Sequence, residues 1–187
     1  SGNADMLLNN ERRLDDITKQ QIYTDIYDDA EWLIGVVENL LSVTRLNDGR
    51  LKIKFNRSAS SMKLIAESLR HISRKHDAYK IQVECEELIL AHMDVRLIIQ
   101  VLVNLIDNAI KYTPQGSTIC IRGLRTDGRA QISVEDNGPG IADEMKSHIF
   151  EMFYTGKTTI ADSHRSLGLG LALCHSIIEA HEGGINT

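Results

Sequence analysis

The residues best suited to chemistry in this chain are Asn104, Asn108, Lys111 and Tyr112, which fall together in the run NLIDNAIKY. Asn104 and Asn108 are four apart, so on a helix they project from one face, one turn above the other. Asparagine rarely helps a helix interior, because its amide competes for backbone hydrogen bonds. An amide oxygen is, however, a neutral hard ligand suited to Mg²⁺ that already carries phosphate oxygens and waters. Lys111, three beyond Asn108, can bring positive charge to the same phosphates. Taken alone, the run reads equally well as a polar helix edge with an ordinary surface lysine.

Two further segments fit the same chemistry. In VEDNGPGI, an alternating strand delivers Asp136 at its end and the chain then breaks at Asn137, Gly138, Pro139 and Gly140. Backbone without side chains lets a flat ligand approach, and a carboxylate beside it can accept a hydrogen bond from an exocyclic amine such as that of adenine. In SLGLGLAL, Gly168 and Gly170 stand where a polar stretch gives way to a helix, so free N–H groups and the helix dipole face an anion. This is neither the Walker pattern nor a glycine motif that follows a strand. A plain turn with a capping aspartate accounts for the first segment alone, and an ordinary helix start for the second.

These residues need elements to hold them. Asp94–Tyr112 reads as a helix with Leu97, Val101, Leu102, Leu105, Ile106 and Ala109 on its buried side. Thr118–Arg122 and Gln131–Glu135 alternate like paired strands joined through Thr126, Asp127 and Gly128. Leu51–Phe55 and Lys80–Cys85 read as strands, Ser61–Arg74 and Leu169–Ala180 as helices, and the polar stretch from Tyr154 to Ser166 as a loop. The first fifty residues differ in texture. Ile26, Ala30, Leu33, Val37, Leu40 and Thr44 step by four and three, which predicts a long amphipathic helix from Asp15 or Asp16 to Leu46, stopped by Asn47, Asp48 and Gly49. A shorter helix ending near Leu8 precedes it across residues 9–13. Such a hairpin either packs on its own domain or forms half of an intermolecular four-helix bundle.

The 187 residues, 42% of them hydrophobic, suffice for one domain or two small ones with a core of their own. The net charge of −5 speaks against nucleic acid as a partner, since phosphate-backbone binders carry a basic excess. Cys85, Cys120 and Cys174 are far apart and odd in number, which reads as reduced thiols in a cytosolic compartment. No apolar run is long enough to span a membrane, and the start SGNADMLL is no signal peptide.

In order and spacing, NLIDNAIKY, VEDNGPGI, IFEMFYTG and SLGLGLALCHSIIEAHEGG resemble the N box, first glycine box, F box and second glycine box of bacterial sensor histidine kinases. The likeness runs from about Leu97 to Gly184. The polar stretch between Phe153 and Ser166 resembles the ATP lid of that family, and residues 1–50 its dimerisation hairpin, with ENLLSVTRLNDG like the end of the second helix. In flavour the chain is closest to the Kdp-type potassium-responsive sensor kinases.

The resemblance implies an α+β fold: a two-layer α/β sandwich of the Bergerat type over residues 51–187, preceded by an antiparallel helical hairpin over residues 1–50. It implies ATP and Mg²⁺ as cofactors, with Asn108 contacting the metal and Asn104 and Lys111 near the phosphates as catalytic groups. Tyr112 would border the nucleotide and Asp136 would read the adenine amine. Gly138, Gly140 and Ile141 would shape the base pocket, while Gly168, Leu169 and Gly170 would hinge the lid and approach the phosphates. Met152 and Thr155 stand where the family commonly has arginines, so the lid's positive charge would come from Lys157 or Arg165.

The family's phosphoacceptor motif, like HELRTPL, surrounds none of the seven histidines. The expectation is therefore a chain that starts after the phosphoacceptor and stops just into the strand beyond Gly184, binds Mg-ATP and does not phosphorylate itself. Related hydrolases place a glutamate general base where this chain has Asn104, and Asp107 points about 100° away from Asn108 on the helical wheel, so hydrolysis is expected to be slow. The implied partners are a response-regulator receiver domain and a second copy through the hairpin, with the membrane reached only through upstream regions and the domain itself cytoplasmic. The alternative is a module of the same fold that senses ATP, or acts as a scaffold, without transferring phosphate. A serine kinase of the anti-sigma-factor type would lack the hairpin.

Overall fold

The computed structural model describes residues 14–47, 53–72, 78–86, 89–155 and 167–187. The chain divides into two compact units, Ser1–Leu41 and Ser42–Thr187.

The long helix α1 (Asp16–Asn47) forms as its periodicity predicts. Asp15 caps it: its carboxylate accepts the Thr18 N–H at 2.7 Å and the Thr18 hydroxyl at 3.1 Å. This is the usual way to satisfy an orphan amide of the first turn, and it holds the Asp15 carboxyl below its ordinary range. Leu33, Ile34 and Val37 are each 53% exposed, so the middle of α1 presents apolar surface. The expected short helix ending near Leu8, and the stop at Asp48 and Gly49, lie outside the described residues.

The second unit contains β1 (Asn56–Ser60), α2 (Ser61–His71), β2 (Lys80–Cys85), β3 (Leu90–Met93), α3 (Val95–Tyr112), β4 (Thr118–Thr126), β5 (Arg129–Asp136), the single turn α4 (Asp143–Lys146) and α5 (Gly170–Ala180). Three strands form a mixed sheet in the order β2-β4-β5, with β2 parallel to β4 and β4 antiparallel to β5. A separate antiparallel pair joins β1 and β3. Asp127 and Gly128, at φ of 50° and 79°, make the tight β4–β5 turn in the left-handed conformation that the strand twist favours there.

Helix α3 packs against α2 and α5 and touches β4 and β5. Ile65 of α2, Ile106 of α3, Ile119 and Ile121 of β4, and Leu173 and Ile177 of α5 are all at most 1% exposed, and they form one core between a helical layer and the sheet. The α+β sandwich is thus borne out. On the opposite face of the sheet, Arg122 links Glu84 of β2 and Glu135 of β5 across three strands.

Two features differ from what the sequence pattern predicts. Residues 53–55 are not strand: the Lys54 N–H donates to the Asp94 carboxylate at 3.0 Å instead of entering a ladder, and the strand begins at Asn56. The four-residue β3 and the turn α4 add to the elements that periodicity predicts.

Candidate active site

The site is organised by α3 and by what meets its two ends. Asp94 caps the helix, accepting the N–H groups of Arg96 and Leu97 at 3.1 and 3.5 Å. Its own N–H donates to His181 Nε2 at 3.0 Å, while His181 Nδ1 lies 2.7 Å from the Ile177 carbonyl, an arrangement that puts the ring proton on Nδ1. Asp94 is 4% exposed and so ties α3 to the far end of α5. With those ends fixed, the two helices bring Asn104 and Gly170 together.

A Cβ on Gly170 would stand 3.7 Å from Asn104 Oδ1, in van der Waals contact. Asn104 Nδ2 is buried and, among the described residues, has no hydrogen-bond partner. Such an amide has lost water without compensation, which costs about 1–3 kcal/mol unless something fills the space in front of it. Cys174, fully buried on α5, meets the same amide, and burial pushes its thiol up to about 12, so it stays protonated. Its Sγ also lies 3.7 Å from the Val101 carbonyl.

Asn108 is half-buried one turn further along α3. Lys111 is half-buried too and lies 5.3 Å from the ring centroid of Tyr112, which is 41% exposed. Asp107 keeps exposed atoms, yet desolvation of its carboxyl raises its pKa to about 6.

At the C-terminal end of α3, Thr113 meets the loop after β5. A Cβ on Gly138 would fall 2.5 Å from Thr113 Cγ2 and 2.8 Å from Asp136 Oδ1, so only glycine permits this approach. The Gly138 N–H donates to Asp136 Oδ1 at 2.9 Å, so among the described residues Oδ2 is the carboxylate oxygen left open as an acceptor. Asn137 accepts the Thr118 N–H at 2.9 Å and pins the same loop to β4. Gly140 adopts a φ of 75°, and the neighbouring Ile141 is 41% exposed.

The second glycine segment closes on the residues after α4. Gly168 has a φ of 64°, and a Cβ there would lie 2.4 Å from the Tyr154 carbonyl oxygen. Its carbonyl accepts the Phe153 N–H at 3.1 Å, and Leu169 beside it is 4% exposed. The two ends of the expected lid are therefore hydrogen-bonded to each other, while Lys157 and Arg165 lie outside the described residues.

Asn104 thus faces Gly170 and Cys174, and Asp136 and Gly138 face Thr113, with Asn108 and Lys111 between them on α3. The nine helical steps from Asn104 to Thr113 rise about 14 Å, comparable with the reach of an extended nucleoside triphosphate. Sequence reasoning missed Thr113, Cys174 and Asp94, which act through packing and caps. The available signal for Asp94 was its place immediately before an apolar helical run.

Residues 93–187 match the family described as histidine kinase-, DNA gyrase B-, and HSP90-like ATPase. The chain is 40% identical over 185 residues to Sensor protein KdpD of Clostridium acetobutylicum, covering 98% of this chain and 20% of that protein. Its fold is similar to histidine kinase ThkA, in a crystal structure with response regulator protein TrrA, at a TM-score of 0.70 and 26% identity over 97% of this chain and 51% of that one. It shares the fold of Acinetobacter baumannii histidine kinase AdeS at a TM-score of 0.71 and 24% identity, covering 96% and 81% of the two chains. On its motif segments, its fold and these likenesses, the chain belongs to the histidine kinase-, DNA gyrase B- and HSP90-like ATPase family, in its sensor histidine kinase branch.

Proposed function

We propose that residues 51–187 bind Mg-ATP along α3 and that, in the whole protein, this domain delivers the γ-phosphate to a histidine and thence to a response-regulator aspartate. The observation that carries this reading is the junction of Asn104 with Gly170: the Asn104 amide oxygen faces a helix start at which glycine keeps the approach clear, and the buried amide nitrogen of the same side chain has no hydrogen-bond partner among the described residues. The first amides of α5 have no intrahelical acceptors and, with the helix dipole, suit phosphate oxygens. Lys111 adds local positive charge, which reconciles phosphate binding with an acidic chain. Asp136 Oδ2 accepts the adenine amine, Tyr112 and Ile141 border the base, and Gly138, Gly140, Gly168 and Leu169 shape the backbone around it.

The donor set fits a divalent cation. Asn108 would hold Mg²⁺ through its amide oxygen, as a hard neutral ligand beside phosphate oxygens. When bound, the ion neutralises the charge on the phosphates that leave or transfer. The chain's own residues position the nucleotide and supply fixed dipoles, and positioning of this kind carries most of the catalysis in phosphoryl transfer. Asn104 has no proton-accepting carboxylate, so water is not activated at that position and the γ-phosphate is kept for a protein acceptor.

Residues 1–50 are read as part of a dimerisation hairpin. The exposed Leu33, Ile34 and Val37 on α1 support a second copy as what covers that face. The complex of ThkA with TrrA supports a receiver domain as the downstream partner. Among the described residues no helix is long and apolar enough to cross a membrane. The domain is read as cytoplasmic, part of an inner-membrane sensor reached through upstream regions. None of the seven histidines stands in the phosphoacceptor context, so this chain binds ATP without labelling itself.

The test joins the chain to an upstream helix bearing HELRTPL and supplies radiolabelled ATP. Acid-labile label on that histidine, and none on the chain alone, is the expected outcome. Label on the chain alone would contradict the reading of its histidines. No label on the joined protein, despite normal ATP binding, would favour a sensing module over a kinase.

A further inference from the structure

We propose that Tyr79, which lies outside all four motif segments, is the positioning residue for the adenine end of the site. The proposal rests on the nucleotide reading above and adds a determinant of base preference to it.

Pro114 ends α3 and sets the local geometry. A proline has no N–H and drives the preceding residue out of the helical region, and Thr113 is indeed extended at φ −114° and ψ 149°. In a continuing helix the Ile110 carbonyl would accept the N–H of residue 114, which here does not exist. The Tyr79 hydroxyl takes its place, lying 2.7 Å from the Ile110 carbonyl oxygen and 3.2 Å from that of Thr113. Its single proton goes to the nearer one. Backbone hydrogen bonds on either side of Tyr79 fasten the same turn: Gly116 N–H donates to the Ala78 carbonyl at 2.8 Å, and Lys80 N–H to the Ser117 carbonyl at 2.9 Å. Residues 78–80 therefore clamp the whole exit from α3.

That exit decides where Asp136 stands. Thr113 is 7% exposed, and its hydroxyl donates to the Ala109 carbonyl at 2.6 Å, which fixes its rotamer. Its methyl occupies the space that a Gly138 side chain would need, so Thr113 sets how closely the loop can pass. The Gly138 N–H in turn holds Asp136 Oδ1 and aims Oδ2. The linkage runs from the Tyr79 hydroxyl to Ile110 and Thr113, from the Thr113 methyl to Gly138, and from Gly138 to the Asp136 carboxylate. Loss of the hydroxyl leaves a carbonyl without a donor, and a shift of the last helical turn relieves it at the expense of this alignment.

Tyr79→Phe keeps the ring and removes only the donor. The expected result is a folded protein whose ADP affinity falls about fivefold, the order set by one net hydrogen bond, while GDP binding is unchanged. The adenine-over-guanine preference therefore shrinks in step. Pro114→Ala added to that variant restores an N–H for Ile110 and should recover stability without recovering base preference, because Thr113 is then free to become helical. Thr113→Ser, which removes only the methyl, should lose preference with its fold intact, so the linkage is tested even if the Phe variant misfolds. Unchanged ADP affinity and preference in folded Tyr79→Phe or in Thr113→Ser, or recovery of both stability and preference with Pro114→Ala, would overturn the proposal. Absence of ADP binding by the unaltered chain would overturn the nucleotide reading and this proposal with it, whereas normal binding there and in Tyr79→Phe alike overturns this proposal alone.

Discussion

Gly170→Ala should improve the fold and damage the site. Gly170 opens α5, its φ is not positive, and a Cβ there would meet nothing closer than 3.7 Å. Alanine in place of helical glycine is worth about 0.5–1 kcal/mol, and the lower figure applies at the first position of a helix. For a unit of this size that raises Tm by about 1–2 °C. The added methyl, however, would stand against Asn104 Oδ1, in the opening through which phosphate is proposed to reach the first N–H groups of α5. Crowding of one methyl into a fitted space costs about 1–3 kcal/mol, so ATP affinity should fall about tenfold or more. Thermal melts of the free protein and calorimetric titration with a non-hydrolysable ATP analogue measure the two effects separately. Wild-type affinity in a stabilised variant would refute the placement of the phosphates between Asn104 and α5.

Gly168→Ala contrasts with it: a φ of 64° and a Cβ 2.4 Å from the Tyr154 carbonyl oxygen combine backbone strain with a clash, so chemical denaturation should show a loss of about 2 kcal/mol or more. Asp136→Asn replaces a carboxylate oxygen by an amide and should narrow the ratio of ADP to GDP affinity at least tenfold in competition binding, with little change in Tm. Asp107 has a folded pKa of about 6, above its ordinary 3.8, so the native state holds that proton more tightly than the unfolded chain. Its contribution to stability is full below about pH 4 and is lost as the pH rises through 6. Urea titrations across that window should show Asp107→Asn flattening the decline.

Much of this arrangement was legible in the sequence, for reasons that can be located. Helix α3 announces itself because its apolar positions repeat at the helical period and Asp94 stands at its start. The β4–β5 hairpin is equally plain, since Asp127 and Gly128 are the residues that tolerate positive φ. The alternation of Leu51, Ile53 and Phe55 imitated a strand, but Asp94, forty residues from Lys54, claims the Lys54 N–H, and no local pattern carries that competition. The four residues of β3 are too few to display a period. At the site, Asn104, Asn108, Asp136 and the glycines could be picked out because the chemistry proposed for them rests directly on their side chains, or on the lack of them. Thr113, Tyr79 and Cys174 could not, because each acts by holding another group where it is. The missing N–H of Pro114 was the one local hint that a donor must come from elsewhere.

The central claim is that α3 and the loops at its two ends form a Mg-dependent adenine nucleotide site. Calorimetric titration of the chain with ATP, with and without Mg²⁺, and repeated on Asn108→Ala, tests it most directly. The account predicts one ATP per chain, tighter with Mg²⁺, and loss of that metal dependence in Asn108→Ala with the fold intact. Binding of ATP that ignores both Mg²⁺ and Asn108, or no binding at all, would contradict it.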